Sequence, residues 1–124
     1  MKLRIHGNSI RIRLTQTEVK RLAAGERIEQ MTEFSAGSAL VSSIEAASNI
    51  SSPNASFGDG RITLRVPFER VRKWAQSDEV GIESNQPIGR ERDLQLLIEK
   101  DYECLHSRAQ GELDAFPNPR KNAL

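Results

Sequence analysis

Four basic residues near the start of the chain are the first candidates for chemistry. Lys2, Arg4, Arg11 and Arg13 lie within KLRIHGNSIRIRL, residues 2–14. Two alternating runs flank Gly7-Asn8, the pattern of a β-hairpin closed by a two-residue loop. That loop sets the register: His6 opposite Ser9, Ile5 opposite Ile10, Arg4 opposite Arg11, Leu3 opposite Ile12, and Lys2 opposite Arg13. The four basic side chains then share one face, with His6 at the turn, while Leu3, Ile5, Ile10, Ile12 and Leu14 share the other. Basic groups so arranged could grip a phosphate, a nucleic-acid backbone or an acidic protein surface. Like charges directly opposite one another destabilise a sheet, so this face needs acid. A ligand could supply it, or the chain itself through Glu99 and Asp101 or through Glu29 and Glu33. Internal pairing is the simpler reading. Glu99 and Asp101 have the right strand phase, so Arg11 or Arg13 is expected to meet one of them across the sheet.

A second candidate group is Cys104 and His106, with Asp114 downstream and His6 elsewhere. Cys104 and His106 are one residue apart, which on a strand puts them on one face, as a nucleophile and base or as part of a metal site. Neither an orienting third group nor an oxyanion donor can be named for them. A half-buried structural thiol beside a solvated histidine is therefore the simpler reading, and no catalytic residue, metal or cofactor is assigned. Glu99, Asp101 and Glu103 share a strand face and could hold a cation, but a solvated or arginine-paired face explains them as well. No glycine-rich phosphate loop, HExxH, GxSxG or CxxC pattern is present.

These residues must be positioned by a small fold. The chain has 124 residues, 37% hydrophobic and 28% charged, which suits one globular domain able to bury a core without staples. The formal net charge is only +1, so bulk charge selects no partner class. Its distribution is uneven: residues 1–27 carry seven Lys or Arg against two acids, and residues 28–60 carry four acids and no Lys or Arg. Aromatic content is 5%, and none of it lies in the basic strands, which argues against a base-stacking platform and makes nucleic acid the weaker partner. The single cysteine excludes an intrachain disulfide and a Cys-rich zinc site. No apolar run approaches membrane-spanning length and no hydrophobic leader precedes the first strand, so a cytoplasmic location without membrane attachment is expected.

Further along, Thr15-Gln16-Thr17-Glu18 fits a capping box, Val19, Leu22 and Ala23 form a helical stripe, and Gly25 suits a left-handed C-cap. Residues 27–34 read as a strand and Ser35–Ser38 as a turn. Residues 39–47 fit either a strand or a helix, and the surrounding strands favour strand. A second hairpin spans Ala55–Val66 around Gly58-Asp59-Gly60. Pro67 then starts a helix with Phe68, Val71, Trp74 and Ala75 buried. Val80–Glu83 reads as a short strand, Ser84–Asp93 as a polar loop, and Leu94–Asp101 as the last strand. A hairpin followed by a helix thus occurs twice, over Lys2–Ala24 and Ala55–Ser77.

Three segments, KLRIHGNSIRIRLTQTEV at the start, LLIEKDYECL at 96–105 and DAFPNP at 114–119, resemble a family of small bacterial proteins known only as a domain of unknown function. The resemblance extends over nearly the whole chain. It implies a stand-alone bacterial domain and brings no activity, substrate or catalytic residue with it.

The expected fold is α+β: a mostly antiparallel sheet of about six to eight strands, open or barrel-like, with two short helices packed on it. Residues 1–106 form the globular domain and 107–124 a polar C-terminal tail. The expected function is a non-catalytic binding module that works through a protein partner, and a homo-oligomer is expected because short strands leave edges that need cover. The alternatives are anion or phosphate binding through the basic face and an enzyme or metal protein built on Cys104 and His106. If Cys104 lies outside any reactive site, thiol reagents should modify the native protein slowly and no metal should co-purify with it.

Overall fold

The first hairpin forms with the register its loop dictates. In the computed structural model, which describes residues 1–102, β1 (Lys2–His6) and β2 (Ser9–Leu14) pair antiparallel with Arg4 opposite Arg11 and Lys2 opposite Arg13. Gly7 takes a positive φ of 55°, which the tight loop requires and glycine tolerates. Helix α1 (Gln16–Ala23) follows at once. Its capping box is complete: the Glu18 amide donates to Thr15 Oγ1 at 3.3 Å, and the Thr15 amide donates to Glu18 Oε1 at 2.9 Å. The other Glu18 oxygen accepts from the Met1 ammonium at 2.6 Å. Burial raises the Glu18 pKa, but the ammonium and the Thr15 donors outweigh it and hold the carboxyl below its ordinary value. The helix ends in a Schellman motif, with Gly25 at φ 93° and the Glu26 amide reaching back to the Arg21 carbonyl at 3.0 Å.

The remaining elements are β3 (Ile28–Ser35), β4 (Ser38–Ala47), β5 (Asn54–Gly58), β6 (Arg61–Pro67), α2 (Phe68–Ala75), β7 (Gly81–Pro87) and β8 (Asp93–Lys100). Residues 39–47 lie in a strand, because Leu40, Ser42, Ile44 and Ala46 alternate onto one face opposite β3 and β6. Strand β7 runs further than its sequence suggests. Ser84, Asn85 and Gln86 belong to it, paired with Leu96, Gln95 and Leu94, so the loop before β8 shrinks to residues 88–92.

The single, mostly antiparallel sheet expected from the sequence is corrected in one respect. The eight strands form two four-stranded mixed sheets, ordered β1-β2-β8-β7 and β3-β4-β6-β5, and neither closes into a barrel. Every hairpin is antiparallel, as its turn demands. At the centre of each sheet, however, two hairpins distant in sequence meet through a parallel pair, β2 with β8 and β4 with β6. Turn chemistry specifies pairing within a hairpin but carries no information about which hairpin lies next to which.

The chain is thereby built from two ββαββ units, β1-β2-α1-β3-β4 and β5-β6-α2-β7-β8. Each sheet takes one hairpin from either unit. Ile12 and Leu14 in β2 correspond to Leu64 and Val66 in β6; Val19 and Leu22 in α1 correspond to Val71 and Trp74 in α2. All eight are buried in one core with Ile28, Ile44, Ile82, Leu96 and Ile98. The two helices touch each other and lie over that core. Among the described residues no helix is long and apolar enough to cross a membrane.

One side chain fastens the two sheets at their margins. Gln86 of β7 accepts from the Ala55 amide of β5 at 2.6 Å and donates to the Ala55 carbonyl at 3.0 Å. A carboxamide thus stands in for a neighbouring strand and satisfies an otherwise open edge. Gln86→Leu should lower stability by about 1–2 kcal/mol in urea unfolding, since both backbone groups lose a partner. Gln86→Glu should be no better than Gln86→Leu at neutral pH, because a carboxylate cannot donate to the Ala55 carbonyl.

Candidate functional site

The outer face of the first sheet collects the polar residues singled out by the sequence. Its strands put three rows across the sheet: Lys2, Arg13, Glu99 and Gly81; Arg4, Arg11, Leu97 and Glu83; His6, Ser9, Gln95 and Asn85. The alternation of β1 and β2 sends their isoleucines and leucines inward and leaves Lys2, Arg4, Arg11 and Arg13 outside. Strand β8 is their neighbour, so Glu99 arrives beside Arg13.

The expected internal pairing is present. Glu99 Oε1 lies 3.3 Å from Nε of both Arg11 and Arg13, and Asp101 lies 3.0 Å from Lys2 Nζ. Glu99 and Asp101 are therefore engaged by basic side chains; Glu103, the third residue of the suggested cation site, lies outside the described residues. Glu29, the alternative neutraliser, belongs to the other sheet, where it pairs with Arg61 at 2.6 Å. Arg4 is the exception. It is exposed, it stands opposite Arg11, and among the described residues it has no acid within ion-pair distance.

Beside Arg11 the face sinks into a shallow depression of about 600 Å³. Leu97 forms part of its floor, Ser9, Gln95 and Asn85 supply hydrogen-bonding groups, and Glu83 stands on the far side. This arrangement offers positive charge at one margin, neutral polar groups in the middle and one carboxylate opposite. It can hold a small anionic or zwitterionic group by charge-assisted hydrogen bonds. Asn85 and Gln95 did not stand out in the sequence. Residues 84–86 read as loop there, and the weak alternation of Ile82, Ser84 and Gln86 was the only signal of a strand.

The second sheet shows what a neutralised face of the same design looks like. Its corresponding row is Ser56, Thr63, Ser43 and Glu29. Small residues stand where the first sheet has Arg4, Arg11 and Leu97. Above them Glu45 binds Arg65 and Arg27, each at 3.2 Å, and Glu29 binds Arg61. Ser43 and Thr63 are buried beneath this lattice, at 1% and 8% exposure.

Cys104, His106 and Asp114 lie outside the described residues, as does the proposed tail. Among the described residues there is no group of three or more His, Cys, Asp or Glu able to hold a metal ion.

Fold and face together define a small α+β protein of two mixed sheets with one arginine face that the described residues neutralise incompletely. The chain belongs to a family of unknown function, DUF7009, whose model matches residues 1–120. No curated protein and no solved structure matches it.

Substitutions on this face separate the paired residues from the unpaired one. Glu99→Gln should destabilise the protein by roughly 0.5–1 kcal/mol, because Arg11 and Arg13 lose their shared acid at a half-exposed site. Arg4→Ser should be neutral or should stabilise by a few tenths of a kcal/mol, since it removes one of two like charges facing each other. Urea unfolding at low and high salt checks both, and added salt should narrow the two differences.

Proposed function

We propose that this protein is a non-catalytic binding module for acidic partners, with the outer face of the first sheet as its recognition surface. One observation carries the reading: Arg4 stands opposite Arg11 and has no acid among the described residues, whereas Arg27, Arg61 and Arg65 on the second sheet are all paired. An exposed like-charge pair costs a few tenths to about 1 kcal/mol, and an incoming carboxylate would relieve that cost on binding.

The same face argues for a short acidic protein segment over a nucleic acid. Glu83 lies in the row of Arg4 and Arg11 and Glu99 in the row beside it, and both would repel a phosphate backbone running across the sheet. No Phe, Tyr or Trp lies in these rows to stack on a base. A cytoplasmic setting accompanies the proposal and is supported by the single cysteine.

The test is a titration of the full chain with a glutamate-rich peptide and, separately, with a single-stranded oligonucleotide. The peptide should bind at low salt, weaken as salt rises, and lose most of its affinity in the Arg4→Ala/Arg11→Ala variant. Tighter binding of the oligonucleotide would redirect the reading to nucleic acid, and no binding of either at low salt would end it.

A further inference from the structure

The four edge strands of the two sheets are not protected alike. In β5 the Ala55 amide and carbonyl that point away from β6 are taken by Gln86. Strand β7 ends in Pro87, and β3 carries Glu29 and Glu33 with a register shift between Glu33 and Ser35. Prolines, charges and irregular register are the usual means of keeping an edge closed to other strands. Strand β1 has no proline and no bulge, and its charges, Lys2 and Arg4, are all basic, so they oppose another basic strand but not an acidic one.

Its open groups follow from the hairpin. The loop closes on the His6–Ser9 pair, and hydrogen-bonded and non-hydrogen-bonded pairs alternate from there. The amides and carbonyls of Leu3 and Ile5 therefore point away from β2. Strand β5 shows the same phase, since Ala55 occupies the position of Leu3 and its outward groups are the ones Gln86 takes. The residue of β3 that corresponds to Gln86 is Thr32, and its side chain makes no hydrogen bond to β1 among the described residues. Among the described residues one edge is thus capped and its counterpart is open.

The side chains of β1 state what could add to it. On the outer face are Lys2 and Arg4. On the inner face is Ile5, 57% exposed, at the rim of an apolar cleft of about 450 Å³ that Phe57 and Leu94 also line. A second copy is a poor occupant, because antiparallel pairing of β1 with itself through Leu3 and Ile5 sets Arg4 against Arg4. We propose that the β1 edge receives an extended segment of another protein, one that alternates acidic and apolar residues. Its acids would lie beside Lys2 and Arg4, its apolar side chains beside Leu3 and Ile5, and its backbone would bond to the outward groups of Leu3 and Ile5. This deepens the acidic-partner reading and rests on it.

The probe is a capped hexapeptide alternating Glu and Val, with a control that has the same composition but groups the three Glu before the three Val. Binding to the full chain is followed by NMR and amide exchange. The alternating peptide should bind at least about tenfold more tightly than the control and slow exchange of the Leu3 and Ile5 amides by a similar factor. Arg4→Glu, at an exposed side chain, should weaken it by about tenfold or more. Ile5→Pro should abolish it while far-UV circular dichroism stays native, since the amide it removes is not used within the sheet. Equal affinity for both peptides, or binding that survives Ile5→Pro and is lost with Arg4→Glu, would overturn strand addition and leave the acidic-face reading standing. Protection of the Leu3 and Ile5 amides in the free protein, or a dimer joined through β1, would also overturn it. Failure of every acidic peptide would end both readings.

Discussion

Each sheet depends on a parallel pair at its centre. Without β2 against β8 and β4 against β6 the protein would be four separate hairpins, none of which is stable alone. The pairs place Ile12 beside Ile98 and Ile44 beside Leu64, all fully buried. Parallel strands are usually covered on both faces. Here the helices and the opposite sheet cover only the inner face, and ion pairs with their aliphatic stems cover much of the outer one. The same position is used in both sheets: Arg13 pairs with Glu99 on one, Arg65 with Glu45 on the other. An acid of one ββαββ unit thus meets an arginine of the other across each parallel pair.

The two units share a scheme but not a surface. On the second sheet small hydroxyl residues lie beneath a closed lattice of glutamates and arginines. On the first, Arg4, Arg11 and Leu97 take those places and the lattice is incomplete among the described residues. The core diverges less, since the inner positions of both units are filled mainly by aliphatic residues and Trp74, with Ser42 of β4 standing where β8 has Leu96. Packing constrains the inner faces equally, because one buried cluster is built from both units. The outer faces carry no such constraint, and it is there that the two halves differ in charge.

The edges follow the same logic. Gln86 joins β7 to β5 and closes one margin between the sheets. Its counterpart, Thr32, is too short and too exposed to do the same for β1. Lys2 and Arg4 then act in two ways on that open edge. They discourage pairing between copies, and they select for acid in anything that does pair.

The local features were legible because their physics is local. The Gly7-Asn8 loop determined the register of the first hairpin, and with it the facing of Arg4 and Arg11. Thr15 and Glu18 determined the start of α1, Gly25 its end, and Pro67 the start of α2. Strand phase put Glu99 and Asp101 on the same face as the arginines, and the placement of β8 beside β2 then brought Glu99 to Arg11 and Arg13. The extent of β7 was hidden because Ser84, Asn85 and Gln86 have little strand propensity of their own; pairing with β8 and the contact of Gln86 with β5 hold them extended. Which hairpins would adjoin, the parallel centre of each sheet, and the division into two sheets came only from tertiary structure. Those pairings join residues far apart in the chain, and what selects them is the burial of one shared core, which no single segment encodes.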